Sequence, residues 1–216
     1  MAERFPGYNV LSKRDTLSFN AITRRVVDER VALPERDDVF TPSQRRTLRA
    51  LLDRVTPQPV GRPPVNRVAL IQEKVGGGGG DGYRHHQLPP LRDAWELGLT
   101  ALDAEALARF ATDFASLPGE QADALLRAVE RGDAHDPAWR GMPPKVWWRW
   151  RVLADAIAAY YAHPSAWSAM GFGGPASPRG YVRLDLDRRD PWEAVQIDRA
   201  GADRPASARG RNRHVA

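Results

Sequence analysis

The sequence predicts an all-α protein: a single helical bundle with an extended N-terminal arm and an irregular, Gly/Pro-rich C-terminal segment. Three observations carry this. Apolar residues recur at i, i+3, i+4, i+7 in three windows bounded by Pro or Gly, the spacing of one helix face. No stretch before residue 180 alternates apolar and polar residues as a half-buried strand does. The 18 Gly and 18 Pro among 216 residues require long stretches outside regular structure, while a hydrophobic fraction of 42% still allows a core of ordinary domain size.

Taken in order, residues 1–39 mix charges with single hydrophobes. They read as an extended arm that needs a surface to lie against, with a short helical possibility around 19–29. Thr41-Pro42-Ser43-Gln44 then spells a helix start, with Thr41 as N-cap, proline in the first turn and Gln44 completing a capping box. Leu48, Leu51, Leu52 and Val55 form its apolar stripe, and Pro57 and Pro59 end it. A second helix spans 65–75, with Val68, Ala69, Ile71 and Val75 apolar. The five glycines of 76–80 stop it, and without a following Lys or Ser/Thr they form a flexible connection and no phosphate loop.

Residues 90–101 carry Leu91, Trp95 and Leu99. Asp103 is then expected to cap a separate helix with Leu107, Phe110, Ala111 and Phe114 on one face. Ala122, Leu125, Leu126 and Val129 mark another helix, closed by Gly132. Pro143 or Pro144 opens the longest helix, to about Tyr161. Its expected buried stripe is Val146, Trp150, Leu153, Ile157 and Tyr160, which leaves Trp148 and Arg149 for a second, partner-directed face. The resulting layout is an arm at 1–39, a helical domain with a C-terminal wrapping segment at 40–195, and a disordered basic tail at 196–216.

Charge excludes less than it suggests. The formal charge is +5 with a pI near 9.9. From Arg199 onward, however, five arginines face only Asp203, a net of +4, so the preceding residues carry +1. The basicity belongs to a tail poor in aromatic and branched residues, and nucleic acid is not an expected partner of the body. No run approaches the ~18 apolar residues of a membrane span. The N-terminal stretch has no apolar signal region, and Arg24-Arg25 is followed by Val-Val-Asp-Glu-Arg, so neither secretion route is expected; the cytoplasm is favoured, with export on a partner's signal as the other route. With no cysteine there is no thiolate metal site or nucleophile, and the five histidines show no zinc spacing.

The informative segment follows the last long helix: His163-Pro-Ser-Ala-Trp167-Ser-Ala-Met-Gly171-Phe172-Gly173-Gly174-Pro175-Ala-Ser-Pro178-Arg179-Gly180-Tyr181, then Asp190-Pro-Trp192. Glycines permit left-handed backbone and close approach, and prolines set the chain's path. Aromatic residues with Arg are the types enriched where one protein grips another. Such a segment is shaped to fit a surface. Gly171-Phe-Gly-Gly-Pro is not a dinucleotide fingerprint, because it follows a helix and lacks the G-x-G-x-x-G spacing.

This stretch, with Tyr160-Tyr161-Ala-His163-Pro164 before it and Asp190-Pro191-Trp192-Glu193 after it, resembles the C-terminal hallmark of the gluconate 2-dehydrogenase subunit 3 family. The resemblance extends back over roughly residues 38–195. It implies a small, non-catalytic subunit that binds and stabilises a large FAD-containing subunit of the glucose–methanol–choline type, in systems that often pass electrons to a c-type cytochrome. Many relatives carry a twin-arginine signal, which this sequence lacks. The resemblance assigns no catalytic, cofactor-binding or metal residue to this chain; FAD is expected in the partner. The expected interface residues are Trp148, Arg149, His163, Trp167, Phe172, Gly173, Gly174, Pro175, Pro178, Arg179, Tyr181 and Trp192. Two alternatives stay open: an enzyme working through His163, Arg179 and Tyr181, and nucleic-acid binding through the tail.

Overall fold

Helix α2 (Pro42–Val55) begins where its capping box places it. Thr41 Oγ1 accepts from the Gln44 N–H at 3.2 Å and Gln44 Oε1 accepts from the Thr41 N–H at 3.0 Å. Its stripe of Leu48, Leu51 and Leu52 is buried against α3 (Arg67–Gly76), whose Val68, Ala69, Ile71 and Val75 face the same core. The computed structural model describes residues 3–59, 61–78, 82–186, 188–197 and 205–215; among them there is no strand, only an isolated parallel bridge between Phe19 and Ser177. The fold is all-α. Of the glycine run, Gly76 and Gly77 close α3 and Gly78 has a φ of +69°, while the expected flexible connection otherwise lies outside the described residues.

By packing, the chain divides into two units, Pro34–Pro57 with Asn66–Tyr160, and Met1–Leu33 with Gln58–Val65 and Tyr161–Ala216. The first, here the helical unit, corrects two expectations. Residues 91–110 form one helix, α4 (Leu91–Phe110), with no break at Asp103. The Asp103 carboxylate is claimed from elsewhere, accepting from Thr47 Oγ1 at 2.8 Å and from the Phe114 N–H at 3.2 Å. Leu107, expected in a stripe, is exposed, and Ala111 sits in the left-handed C-cap position. Phe114 is buried from a separate 3₁₀ turn capped by Asp113. Helix α5 (Gly119–Arg131) buries Ala122, Leu125, Leu126 and Val129 and ends on Gly132 at φ +86°, as expected.

The second correction concerns 144–161. This stretch runs α6 (Pro144–Trp147), a π-helical segment (Trp148–Leu153) and α7 (Ala154–Tyr161). Its buried side chains are Trp147, Trp148, Arg151, Val152, Asp155, Ala156 and Ala159, a different face from the expected one. They recur every four residues, a wider step than the α-helix's 3.6; i→i+5 bonding widens the turn and keeps both rows aimed inward. Trp150 and Ile157 consequently face solvent. Gly98 in α4 accommodates this packing, because a Cβ there would lie 2.1–2.5 Å from the Trp147 indole.

Buried charges tie the unit together. Asp155 accepts from Trp95 Nε1 at 2.8 Å, Lys74 Nζ at 2.7 Å and, more distantly, Arg151. Glu105 accepts from Trp139 Nε1 at 3.2 Å, the Asp136 N–H at 2.7 Å and Arg109 at 2.9 Å. Each carboxylate thus orients a core tryptophan while its own charge is compensated.

The second unit corrects the arm-and-tail layout. The arm contains a 3₁₀ turn (Val10–Lys13) and, where a short helix around 19–29 was expected, helix α1 (Ala21–Ala32), capped by Asn20 Oδ1 accepting from the Thr23 N–H at 2.8 Å. Phe5, Tyr8, Val10, Phe19 and Val27 of this arm share one apolar cluster with Trp167 and Val215. The expected disordered tail, where described, carries helix α9 (Pro205–Asn212). Buried Asn212 donates from Nδ2 to Pro6 O and Val195 O, both at 2.9 Å, and accepts from the Val195 N–H at 2.7 Å. One side chain thereby satisfies backbone groups from both ends of the chain.

Candidate partner interface

Helix α8 (Pro164–Met170) opens the Gly/Pro-rich segment. The sequence favours His163 as a terminator of the preceding helix; instead it is the N-cap of α8, with Nδ1 accepting from the Ser165 N–H at 3.1 Å. Burial, and then the neighbouring Arg30 charge, push the imidazole pKa down to about 4. The ring is therefore neutral near pH 7, and because Nδ1 accepts, the ring proton is on Nε2. Ser168 Oγ accepts from the Val10 N–H at 3.0 Å and donates to Pro164 O at 2.8 Å, fastening α8 to the arm.

Beyond α8 the glycines have identifiable tasks. Gly171 ends the helix at φ +73°, and a Cβ there would lie 2.5 Å from the Phe5 ring. Gly174, at φ +66°, leaves no room for a Cβ beside Val10 and Trp167, and its carbonyl accepts from the Tyr181 hydroxyl at 2.5 Å. The Gly173 carbonyl accepts from Lys13 Nζ at 2.8 Å. Pro175 is half-buried, and Pro178, exposed, follows a cis peptide bond. Residues 177–179 are laced to the arm, with the Asn20 N–H donating to Ser177 O at 2.8 Å and the Arg179 N–H to Leu17 O at 3.2 Å. Arg179 Nε donates to Ser18 Oγ at 2.9 Å, and its guanidinium lies 4.1 Å from the Trp192 ring centre, a cation–π stack.

The expected interface residues therefore fall into three groups. Trp148, His163, Trp167 and Gly174 are buried within the chain, with Trp167 Nε1 donating to Tyr161 O at 2.5 Å. Gly173, Pro175, Arg179 and Trp192 are half-buried, while Arg149, Phe172, Pro178 and Tyr181 are exposed. Phe172 stands edge-on to Trp167, ring centres 6.0 Å apart, so a buried residue supports an exposed one. The arm and the segment, whose Gly, Pro and charge content predicts that they order largely on binding a partner, pack on each other.

Sequence reasoning missed the most exposed apolar residues. Val182, Leu184 and Leu186 are 83%, 76% and 94% exposed, close in sequence to Tyr181 at 64%. Their signal is an alternation of aliphatic with Arg183 and Asp185. On the helical unit the outward side of 144–161 presents Trp150, packed by Tyr83 and His85 at ring separations of 5.9 and 5.5 Å, and then Ile157. The sequence marks this helix as apolar on two sides, but the outward one is that of Trp150 and Ile157, while Trp148, expected to face a partner, is buried. Among the described residues no cluster of His, Asp or Glu could hold a metal ion, and no helix is long and apolar enough to cross a membrane.

A family model described as gluconate 2-dehydrogenase subunit 3 matches residues 42–174. No curated protein and no solved structure matches the chain. The family match begins at the first residue of α2, runs through the helical unit and ends inside the Gly/Pro-rich segment at Gly174. It covers well over half of the chain, which therefore belongs to the gluconate 2-dehydrogenase subunit 3 family.

Proposed function

We propose that this chain is the non-catalytic small subunit of a sugar or sugar-acid dehydrogenase, and that it binds and stabilises a large FAD-containing subunit of the glucose–methanol–choline type. Family membership supports the coarser part, a small accessory subunit of a dehydrogenase complex. The docking role rests chiefly on one observation, and the flavoprotein type of the partner on the family resemblance alone: large apolar side chains, Phe172, Tyr181, Val182, Leu184 and Leu186, stand exposed on a segment whose backbone is held by side chains at Gly173, Gly174 and Leu184. Exposed bulk on a braced backbone suits a docking surface, because little ordering entropy is lost on binding. A subunit that binds the native flavoprotein stabilises it by mass action, with a gain set by its free concentration over the dissociation constant. The cytoplasm is the proposed compartment, and a c-type cytochrome the proposed acceptor downstream of the flavin.

Purification of the tagged chain from its native cells tests this. A flavoprotein with the absorbance of bound FAD should co-purify. In that complex Phe172→Ala with Tyr181→Ala should lower the yield or FAD content of the large subunit, each truncation costing about 2 kcal/mol of binding as at interface anchors. Turnover per bound FAD should stay near wild type. Absence of any flavoprotein, or a collapse of turnover per FAD at unchanged yield, overturns the reading.

A further inference from the structure

The exposed positions of α2 and α5 are mostly charged, as solvent-facing helix positions are, with Arg46, Arg49 and Asp53 on one and Glu120, Arg127 and Glu130 on the other. The helical stretch that starts at Pro144 differs. Its four-residue step sorts the side chains into rows, and the rows begun by Trp147 and Trp148 are buried. The other two face outward: Arg149, Leu153 and Ile157 in one, Trp150, Ala154 and Ala158 in the next. Leu153 is half-buried and the rest are exposed. Arg149 is the one charged member of this strip.

The strip has the makings of an anchor site. Trp150 is steadied from beside it, with the Tyr83 and His85 rings centred 5.9 and 5.5 Å away. An aromatic side chain already fixed in place loses little freedom on docking. Trp and Arg are also residue types that carry much of the energy at interfaces, and here they adjoin. Ala154 and Ala158 keep the middle of the strip low, so an apposed backbone can come close to the helix.

Charge and size decide what covers it. A second copy, strip against strip, would bring no carboxylate to Arg149, because the strip contains none. Its six residues also fall short of the about 20–30 per side that a stable interface uses. A larger partner with an acid at the edge of an apolar surface meets both needs. The family match to residues 42–174 contains the strip whole, whereas the exposed Val182, Leu184 and Leu186 lie beyond its end. A surface common to a family of dehydrogenase subunits belongs inside that match. We propose that the outward rows of residues 149–158 are a further docking surface for the large subunit of the dehydrogenase, with Trp150 and Ile157 entering an apolar depression and Arg149 meeting a carboxylate at its rim. This rests on the accessory-subunit reading and adds to it a site on the helical unit.

The test sets full-length variants against the wild-type chain in competition for the large subunit that co-purifies with it. Ile157→Asp should bind about tenfold more weakly or worse, because it brings a charge into an apolar contact. Arg149→Glu should bind about tenfold more weakly at low salt, with the deficit shrinking as salt rises. Both positions are exposed, so each variant alone should melt near the wild-type Tm. Should Ile157→Asp melt lower, Ala158→Arg, at an exposed position of the neighbouring row, takes its place. Competition by Ile157→Asp equal to that of wild type overturns the surface and leaves the accessory-subunit reading standing, because the complex still forms. A wild-type chain that binds no dehydrogenase subunit overturns both. Sedimentation of the chain alone covers the remaining occupant: a dimer that Ile157→Asp turns into a monomer puts a second copy on the strip and overturns the proposal.

Discussion

The two units are held together by different means. In the helical unit, neighbouring helices bury Leu48, Leu51, Leu52, Trp95, Leu99, Leu125 and Trp147 in one apolar core, and its buried charges, Asp155 and Glu105, have cations and indole N–H groups as partners. The unit of the chain ends has a small apolar cluster and relies on single side chains reaching backbone groups far away in sequence: Lys13 to Gly173 and Trp192, Ser168 to Val10, Asn212 to Pro6. A helical core satisfies its own backbone locally, so side chains are free to pack. Irregular backbone has no such ladder, and each clamp there replaces hydrogen bonds that a helix would have supplied. The difference teaches where function can reside: the clamped unit carries the most exposed apolar residues, Val182, Leu184 and Leu186.

The largest effect should come from the helical core. Asp155→Ala removes the acceptor of Trp95 and the counter-charge of Lys74 and Arg151. A loss of about 4 kcal/mol is expected, the size seen when one partner of a buried ion pair is removed. Denaturant melts followed by tryptophan fluorescence would check it; a loss below about 1 kcal/mol would place Asp155 outside the cooperative core.

Gly171→Ala should act on the other unit. The substitution combines a φ of +73° with a Cβ only 2.5 Å from the Phe5 ring, and the expected cost is about 3 kcal/mol. Hydrogen exchange should show residues 5–20 and 163–180 losing protection while α2, α4 and α5 keep theirs. Loss of protection in all of them would mean that the two units unfold as one.

The smallest effect concerns acid. His163 is neutral and buried, with its pKa lowered to about 4. A depressed histidine contributes stability that is fully present above its unfolded pKa of about 6.5 and lost as pH falls through the folded value. Between those limits the unit of the chain ends should lose roughly 2 kcal/mol, because protonation also converts the Nδ1 acceptor of the Ser165 N–H into a donor. His163→Asn, which keeps an N-cap acceptor without a titrating ring, should flatten the dependence in that window. An unchanged acid profile in this variant would assign the sensitivity to another group.

The sequence by itself determined what is local. The Thr41 capping box, the α2, α3 and α5 stripes and the Gly132 cap depend on residues within one or two turns of each other, so their side chains are evidence enough. The Gly/Pro-rich segment was legible as shaped, and its composition carried the family resemblance. Only the tertiary structure decided the rest. Asp103 has the preferences of a cap, but Thr47 and Phe114 claim its carboxylate, so α4 runs on to Phe110. Residues 144–161 are apolar on two sides, and periodicity cannot say which side the core takes; packing with Trp95 and Trp139 put Trp147 inside and left Trp150 out. Apart from the short helical possibility around 19–29, the arm and the basic tail lack apolar periodicity. Their order comes from groups such as Lys13, Ser168 and Asn212 meeting partners more than 150 residues away, and such pairings are fixed by the closed fold, because no local pattern encodes them.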